Sequence, residues 1–333
     1  MRIGTTTATL LLVAFAMGAC GEEMEAISQI TKFRVMGVQA DPPEIRPGQG
    51  TTLRVLFADP KGAGRDVTIM WLTCAGSFSP SADLAEGECE PIWMPGFGTA
   101  AEGADAYEIP FTSEDILDEL PEDEEYLSVT TIVVLCAGGE LPGLDDMEVN
   151  GEIESFDDLC RDGDGLVAVK SFRISNSTNP NKNPVIDKVV FNESQMPSGG
   201  DTDPLDAGIQ DAGTPEPKGM DAGPGSFGCT EAKDCMDGAT IQAYLTQTSF
   251  QNYDKKEFGE TITTEEDPYI SWFVTGGKFT DDRSRTSEPP GPFEVDWRPP
   301  REGGQVTLWA VAHDMRGGIS WETFIIDANV DVD

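Results

Sequence analysis

Leu127-Ser128-Val129-Thr130-Thr131-Ile132-Val133-Val134-Leu135-Cys136 is the stretch on which the fold turns. β-Branched side chains lose rotamer freedom in a helix but sit well on a pleated surface. The run lacks the apolar–polar alternation of a strand wetted on one side, so it predicts a central strand buried on both faces. The flanks read the same way. Lys32-Phe33-Arg34-Val35 predicts a strand that ends at Asp41-Pro42-Pro43, because proline cannot donate to a ladder. After the turn Arg46-Pro47-Gly48, Leu53, Val55 and Phe57 share one face, and Val67, Ile69 and Trp71 alternate toward Cys74. Tyr107, Ile109 and Phe111 form another strand, Thr112-x-x-Asp115 reads as a capping box opening a short helix closed by Pro121, and Leu166–Ile174 supplies the last strand.

About seven short strands with turn signals between them predict an immunoglobulin-like sandwich over residues 29–175. Asn176–Pro184, rich in Asn, Ser and Pro, reads as a hinge, and residues 185–333 as a second such sandwich. Its strands are expected at 185–191, 239–247 and 269–274, at Phe293/Val295/Trp297, and at 306–313 and 319–330, the last two joined by the glycine-bearing turn Asp314–Gly318. A low-complexity insert, 194–227, repeats Asp-Ala-Gly and is expected to be disordered, since it holds too little apolar area to offset chain entropy. The expected fold is therefore all-β, two immunoglobulin-like antiparallel sandwiches.

The N-terminus is an address. Met1-Arg2, an apolar stretch from Ala8 to Phe15, and Met17-Gly18-Ala19-Cys20-Gly21 make a secretory leader, too short to span a bilayer as a permanent helix. Small residues ending on a cysteine resemble a bacterial lipobox, which implies cleavage after residue 19, lipidation of Cys20 and a tether over residues 20–28. By resemblance to other lipoproteins, Gly21 implies sorting to the outer membrane, on its periplasmic or surface face. The other cysteines, Cys74, Cys89, Cys136, Cys160, Cys229 and Cys235, are an even set in an oxidising compartment. Spacing favours Cys74–Cys89, Cys136–Cys160 and Cys229–Cys235, with Cys74–Cys136 as the rival bridge. A net charge of −38 repels phosphate backbones and excludes nucleic acid as a partner.

Several further stretches carry a resemblance to myxobacterial-type surface lipoproteins with tandem immunoglobulin-like modules. They are Val38-Gln39-Ala40-Asp41-Pro42-Pro43-Glu44 with Pro47-Gly48, Trp71-x-x-Cys74, Asn183-Pro184, Ser271-Trp272-Phe273, Trp297-Arg298-Pro299-Pro300 and His313-Asp314-Met315-Arg316-Gly317-Gly318. The resemblance implies architecture and carries no catalytic residues with it.

Few residues invite chemistry. Gly223–Gly228 matches GxGxxG by letter but lacks the preceding strand and following helix of a dinucleotide site. His313-Asp314 suggests a base with its orienter, yet no GxSxG accompanies it, and the aspartate reads as the cap of a turn. Asp157, Asp158, Asp162 and Asp164 could face one Ca2+ across the Asp162-Gly163-Asp164-Gly165 turn, although the full ligand loop is absent. No other cofactor is expected. Trp93 and Phe97, read as a loop outside any strand, and the loop Gly276–Pro292 are the candidate contact surfaces, rigid rings being suited to a sugar or a protein. The expected function is a lipid-anchored cell-envelope binding or structural module without catalysis. The alternatives are a polysaccharide-binding accessory protein and a metal-dependent hydrolase.

Overall fold

The computed structural model describes residues 26–61, 65–75, 90–93, 97–100, 106–112, 120, 126–141, 160–191, 194–195, 239–257, 260–300 and 303–328. The leader, Cys20, most of the tether, the helix expected after Thr112, Cys89, Cys229, Cys235, Asp157, Asp158 and residues 196–227 lie outside them. The described chain is all-β, with strands numbered below in chain order. Among the described residues, no helix is long and apolar enough to cross a membrane.

Leu127–Cys136 lies inside β8 (Tyr126–Ala137), which pairs with β4 (Val67–Ala75) on one side and β9 (Asp164–Ser175) on the other. Val129, Val133 and Leu135 point into one apolar cluster, while Ile132 and Val134 join Met70 in a second on the opposite face. The prediction of a doubly buried central strand holds. The sheet continues from β9 to β2 (Glu44–Ile45), a parallel pair, and beyond β4 to β5 (Glu90–Trp93) and β6 (Phe97–Ala100). Trp93 lies opposite Thr73 and Phe97 opposite Met70, so both belong to strands and not to the expected loop. The turn signals Pro95 and Gly96 had suggested otherwise, but β4 is long enough to pair with a short strand at each end.

A second sheet, β1 (Arg34–Asp41), β3 (Gly50–Ala58) and β7 (Ala106–Thr112), covers this one. Val38, Leu53, Val55, Phe57 and Phe111 meet Trp71, Val133 and Phe172 in the N-terminal core. In the C-terminal half, β17 (Arg283–Ser284), β15 (Tyr269–Val274), β19 (Gly304–His313) and β20 (Ile319–Ala328) form one sheet. The other is β11 (Ser194–Gln195), β10 (Ile186–Phe191), β12 (Ala239–Leu245), β18 (Phe293–Arg298) and β16 (Lys278–Phe279). Strict alternation in β18 buries Phe293, Val295 and Trp297 against Trp272, Leu308 and Phe324.

Two boundaries differ from expectation. Ser194 and Gln195 extend the sheet beside β10 instead of opening the low-complexity insert. The stretch expected as the loop Gly276–Pro292 carries β16 and β17, which complete both C-terminal sheets, and Phe279 is buried in the core. Both strands are two residues long, below the length at which alternation can be read. An exposed polar hairpin, β13 (Asn252–Glu257) and β14 (Glu260–Glu265), has no buried face to write a pattern and passes unseen in the sequence.

The four sheets stack. The face of β1 and β3 turned away from the N-terminal core presents Met36, Leu56 and Ala58, which pack with Ile30 on Trp309, Val311 and Ile319. β19 is thus a second doubly buried strand, with Leu308, Ala310 and Ala312 facing its own core and Trp309 and Val311 facing the other half. Contact is close at Gly37, where a Cβ would stand 2.8 Å from Ile319 Cδ1. A side chain there would have to displace the tip of Ile319.

Candidate functional site

The polar part of this seam gathers the largest buried set of charged groups in the described structure. It is assembled from four short connections. The Pro42-Pro43 corner delivers Glu44 on β2; residues 176–184, which follow Ser175 at the end of β9, cross between the halves; the link from β14 to β15 carries Glu266; and the β19–β20 turn carries Asp314 and Arg316. Arg316 donates through Nη2 to Glu44 Oε2 at 3.0 Å and through Nη1 to Glu266 Oε1 at 3.1 Å, linking the two halves through one guanidinium. Its face lies 4.9 Å from the ring centroid of Tyr253, on the unforeseen hairpin. Glu44 also accepts from Ser175 Oγ and, at 2.7 Å, from the Asn181 backbone N–H.

Asp314 holds its own turn. Its Oδ1 accepts from the backbone N–H groups of Arg316 at 2.7 Å and Gly318 at 2.6 Å, and Oδ2 accepts from Asn181 Nδ2 at 3.0 Å. Gly318 is required by that close approach, since a Cβ there would lie 2.1 Å from Asp314 Oδ2. Lys170 of β9 reaches across to donate to the Gly317 carbonyl. The expected hinge 176–184 is therefore bonded to both halves. Asn183 donates to the Ala40 carbonyl at 2.9 Å and to Asp41 Oδ1 at 3.1 Å, and accepts from the Ile319 N–H at 3.0 Å.

Burial shifts three of the groups. Desolvation, with the Asp314 charge nearby, raises Glu266 to about 7. Desolvation lowers Lys170 to about 8, and Asp314 partly offsets it. His313 stacks on Tyr269 at 4.6 Å and 10° and is lowered to about 4, first by desolvation and then by Lys170 and Arg283. Its neighbour Asp314 is spent on the turn, so the two do not form an acid–base pair.

The remaining candidates fall elsewhere. Cys136 bonds to Cys160, which excludes Cys74–Cys136; Cys74 is itself disulfide-bonded, with its partner outside the described residues. Asp164 pairs with Lys61 Nζ and Arg65 Nη2, both at 2.8 Å, and the hydrogen bond from Lys61, then that from Arg65, lowers its pKa. Asp162 sits in the left-handed turn conformation, φ 61°. Among the described residues, no group of three or more His, Cys, Asp or Glu side chains converges on a metal position.

Beside the residue 176–184 crossing runs a groove of about 470 Å³, lined by Asp41, Lys182, Val185, Ser320, Trp321 and Glu322 among others. Ser320 Oγ is buried with no hydrogen-bond partner among the described residues, and the Arg54 guanidinium lies 5.1 Å over the Trp321 ring. Sequence reasoning missed the seam as a site, yet its parts had been visible. Glu44, Asn183, Asp314 and Arg316 all lie in the stretches that carried the lipoprotein resemblance.

No protein-family model matches the sequence, and no curated protein matches it. Among solved structures 51 chains match. One is the crystal structure of dimeric latent PorU from Porphyromonas gingivalis, 12% identical, with a TM-score of 0.22, covering 91% of this chain and 24% of that chain. A likeness at that TM-score carries no argument.

Proposed function

We propose that this protein is a lipid-anchored module of the cell envelope, held on the outer membrane through Cys20, whose two immunoglobulin-like halves bind or support a partner without catalysis. One observation carries the reading: the groups best suited to chemistry are consumed by the fold. His313 is desolvated against Tyr269, Asp314 caps its turn, and Asp164 is neutralised by two cations. A stacked and bolted pair of sandwiches suits a load-bearing or presenting role better than a mobile active site. The anchor is tested by metabolic labelling with a clickable fatty acid. Label and membrane fractionation are expected for the native chain and lost in Cys20→Ala; a native chain without label overturns the reading.

A second reading, a polysaccharide-binding accessory protein, is favoured by the groove. Two carboxylates, Asp41 and Glu322, line it beside a partly buried indole, and carboxylates accept from the hydroxyls of a neutral sugar. Affinity electrophoresis through neutral polysaccharide gels separates the readings. Retardation that Glu322→Gln weakens would support the second, and free migration of the native chain would reject it.

A further inference from the structure

The seam holds more buried acid than base. Facing Arg316 are Glu44 from β2, Asp314 from its own turn and Glu266 from the end of the β13–β14 hairpin, with Lys170 from β9 as the second cation. His313, one residue before Asp314, is neutral at pH 7 and adds no charge. Tyr253 covers the guanidinium, and Gln251 presents its backbone N–H to Glu266 Oε2 at 3.3 Å. With Glu266 ionised, three carboxylates oppose two cations inside a seam where Glu44, Glu266 and Asp314 are each no more than 6% exposed. With Glu266 neutral, the charges balance. The long Gln251 contact leaves Oε2 as the oxygen able to carry a proton.

We propose that Glu266 is the proton-operated latch of this seam: its protonation commits the charge of Arg316 to Glu44 across the two halves and closes them, and its ionisation draws Arg316 back toward its own half and loosens them. The direction follows from linkage. A carboxyl whose pKa in the closed seam lies near 7, against 4.5 in water, makes closure most favourable at low pH and progressively less so up to about pH 7. Lys170 does not share this window, since it loses its proton only near 8. His313 opposes Glu266 between about pH 4 and 6.5, so the latch is read as a difference between two proteins that share that histidine. The chemistry stands on the seam alone; its use as a sensor of external pH rests on the envelope address proposed above.

The test uses the full chain and Glu266→Gln, which keeps the acceptor for Arg316 and copies the protonated state. Native-state hydrogen exchange reads the amides of Asn181 and Gly318, which donate to Glu44 and Asp314. After correction for intrinsic rates, protection in the variant relative to the native chain should grow at least tenfold between pH 5 and 7.5. A ratio constant across that range overturns the proposal. If the variant does not fold, carbon NMR of the Glu266 carboxyl in the native chain decides. A midpoint near 7 supports the latch, and one below about 5.5 rejects it.

Discussion

The interiors of the two halves and the seam between them solve the same packing problem with different materials. Each core is built from alternating apolar side chains, Trp71, Phe57 and Val133 in one and Trp272, Phe293 and Leu308 in the other. The seam is apolar only around Met36, Leu56, Trp309 and Val311; the rest is Glu44, Arg316, Glu266, Asp314 and Asn181. Apolar contacts are non-directional and tolerate small slips, whereas a buried ion pair is favourable in one geometry and costly in its neighbours. The cores therefore supply stability, and the seam supplies a unique relative placement of the halves that can be released by a change in charge.

The contrast can be broken from the core side first. Trp272 is fully buried and donates its Nε1–H to Ser284 Oγ at 2.8 Å. Trp272→Ala is expected to cost about 4–5 kcal/mol through lost burial and a cavity. Urea denaturation should show the C-terminal half melting first, with little change in its pH dependence. From the seam side, Arg316→Ala removes the cation that Glu44 and Glu266 share. A loss of about 3 kcal/mol is expected. It should be accompanied by an increased radius of gyration in X-ray scattering while the far-ultraviolet circular dichroism remains β. A melt as cooperative and as compact as the native one would show that apolar packing alone holds the halves.

The smallest expected effect separates the two materials by pH. His313 is held neutral to about pH 4, whereas in the unfolded chain it takes up a proton near 6.5. Its contribution is therefore complete above pH 6.5 and is lost as pH falls through that window, by about 2 to 3 kcal/mol at pH 4.5. Glu266 contributes the opposite slope between 4.5 and about 7, so the native chain should show a nearly flat stability profile there. His313→Phe, which can keep the stack on Tyr269, should uncover stability that falls as pH rises. Melting temperatures between pH 4.5 and 7 that match the native profile would remove His313 from this balance.

How much was legible depended on whether a residue's role is local. Trp71, Val133 and Leu135 could be assigned to a core because alternation and β-branching act within one strand. The Asp314 cap could be read because its partners are two and four residues away. Trp93 and Phe97 were misjudged because their strand status comes from β4, not from their own Pro-Gly-rich surroundings. Glu44 and Arg316 are 272 positions apart, and nothing in either neighbourhood announces the pair. Their presence in the resemblance-bearing stretches marked them as architectural without saying what they build.

Taken alone, the sequence determined an all-β chain and a doubly buried central strand at Leu127–Cys136, and it favoured the Cys136–Cys160 bridge over its rival Cys74–Cys136, a choice the structure made. It also carried the anchored address that remains this protein's proposed setting. Periodicity and turn chemistry are short-range signals, and the strands they mark need nothing else. Only the tertiary structure decided that the halves stack into four layers, that β19 is buried on both faces, and that the expected hinge is bonded on both sides. Those outcomes depend on complementary surfaces and on charges that meet after folding, and the energy of such a meeting belongs to pairs of residues that the chain keeps far apart.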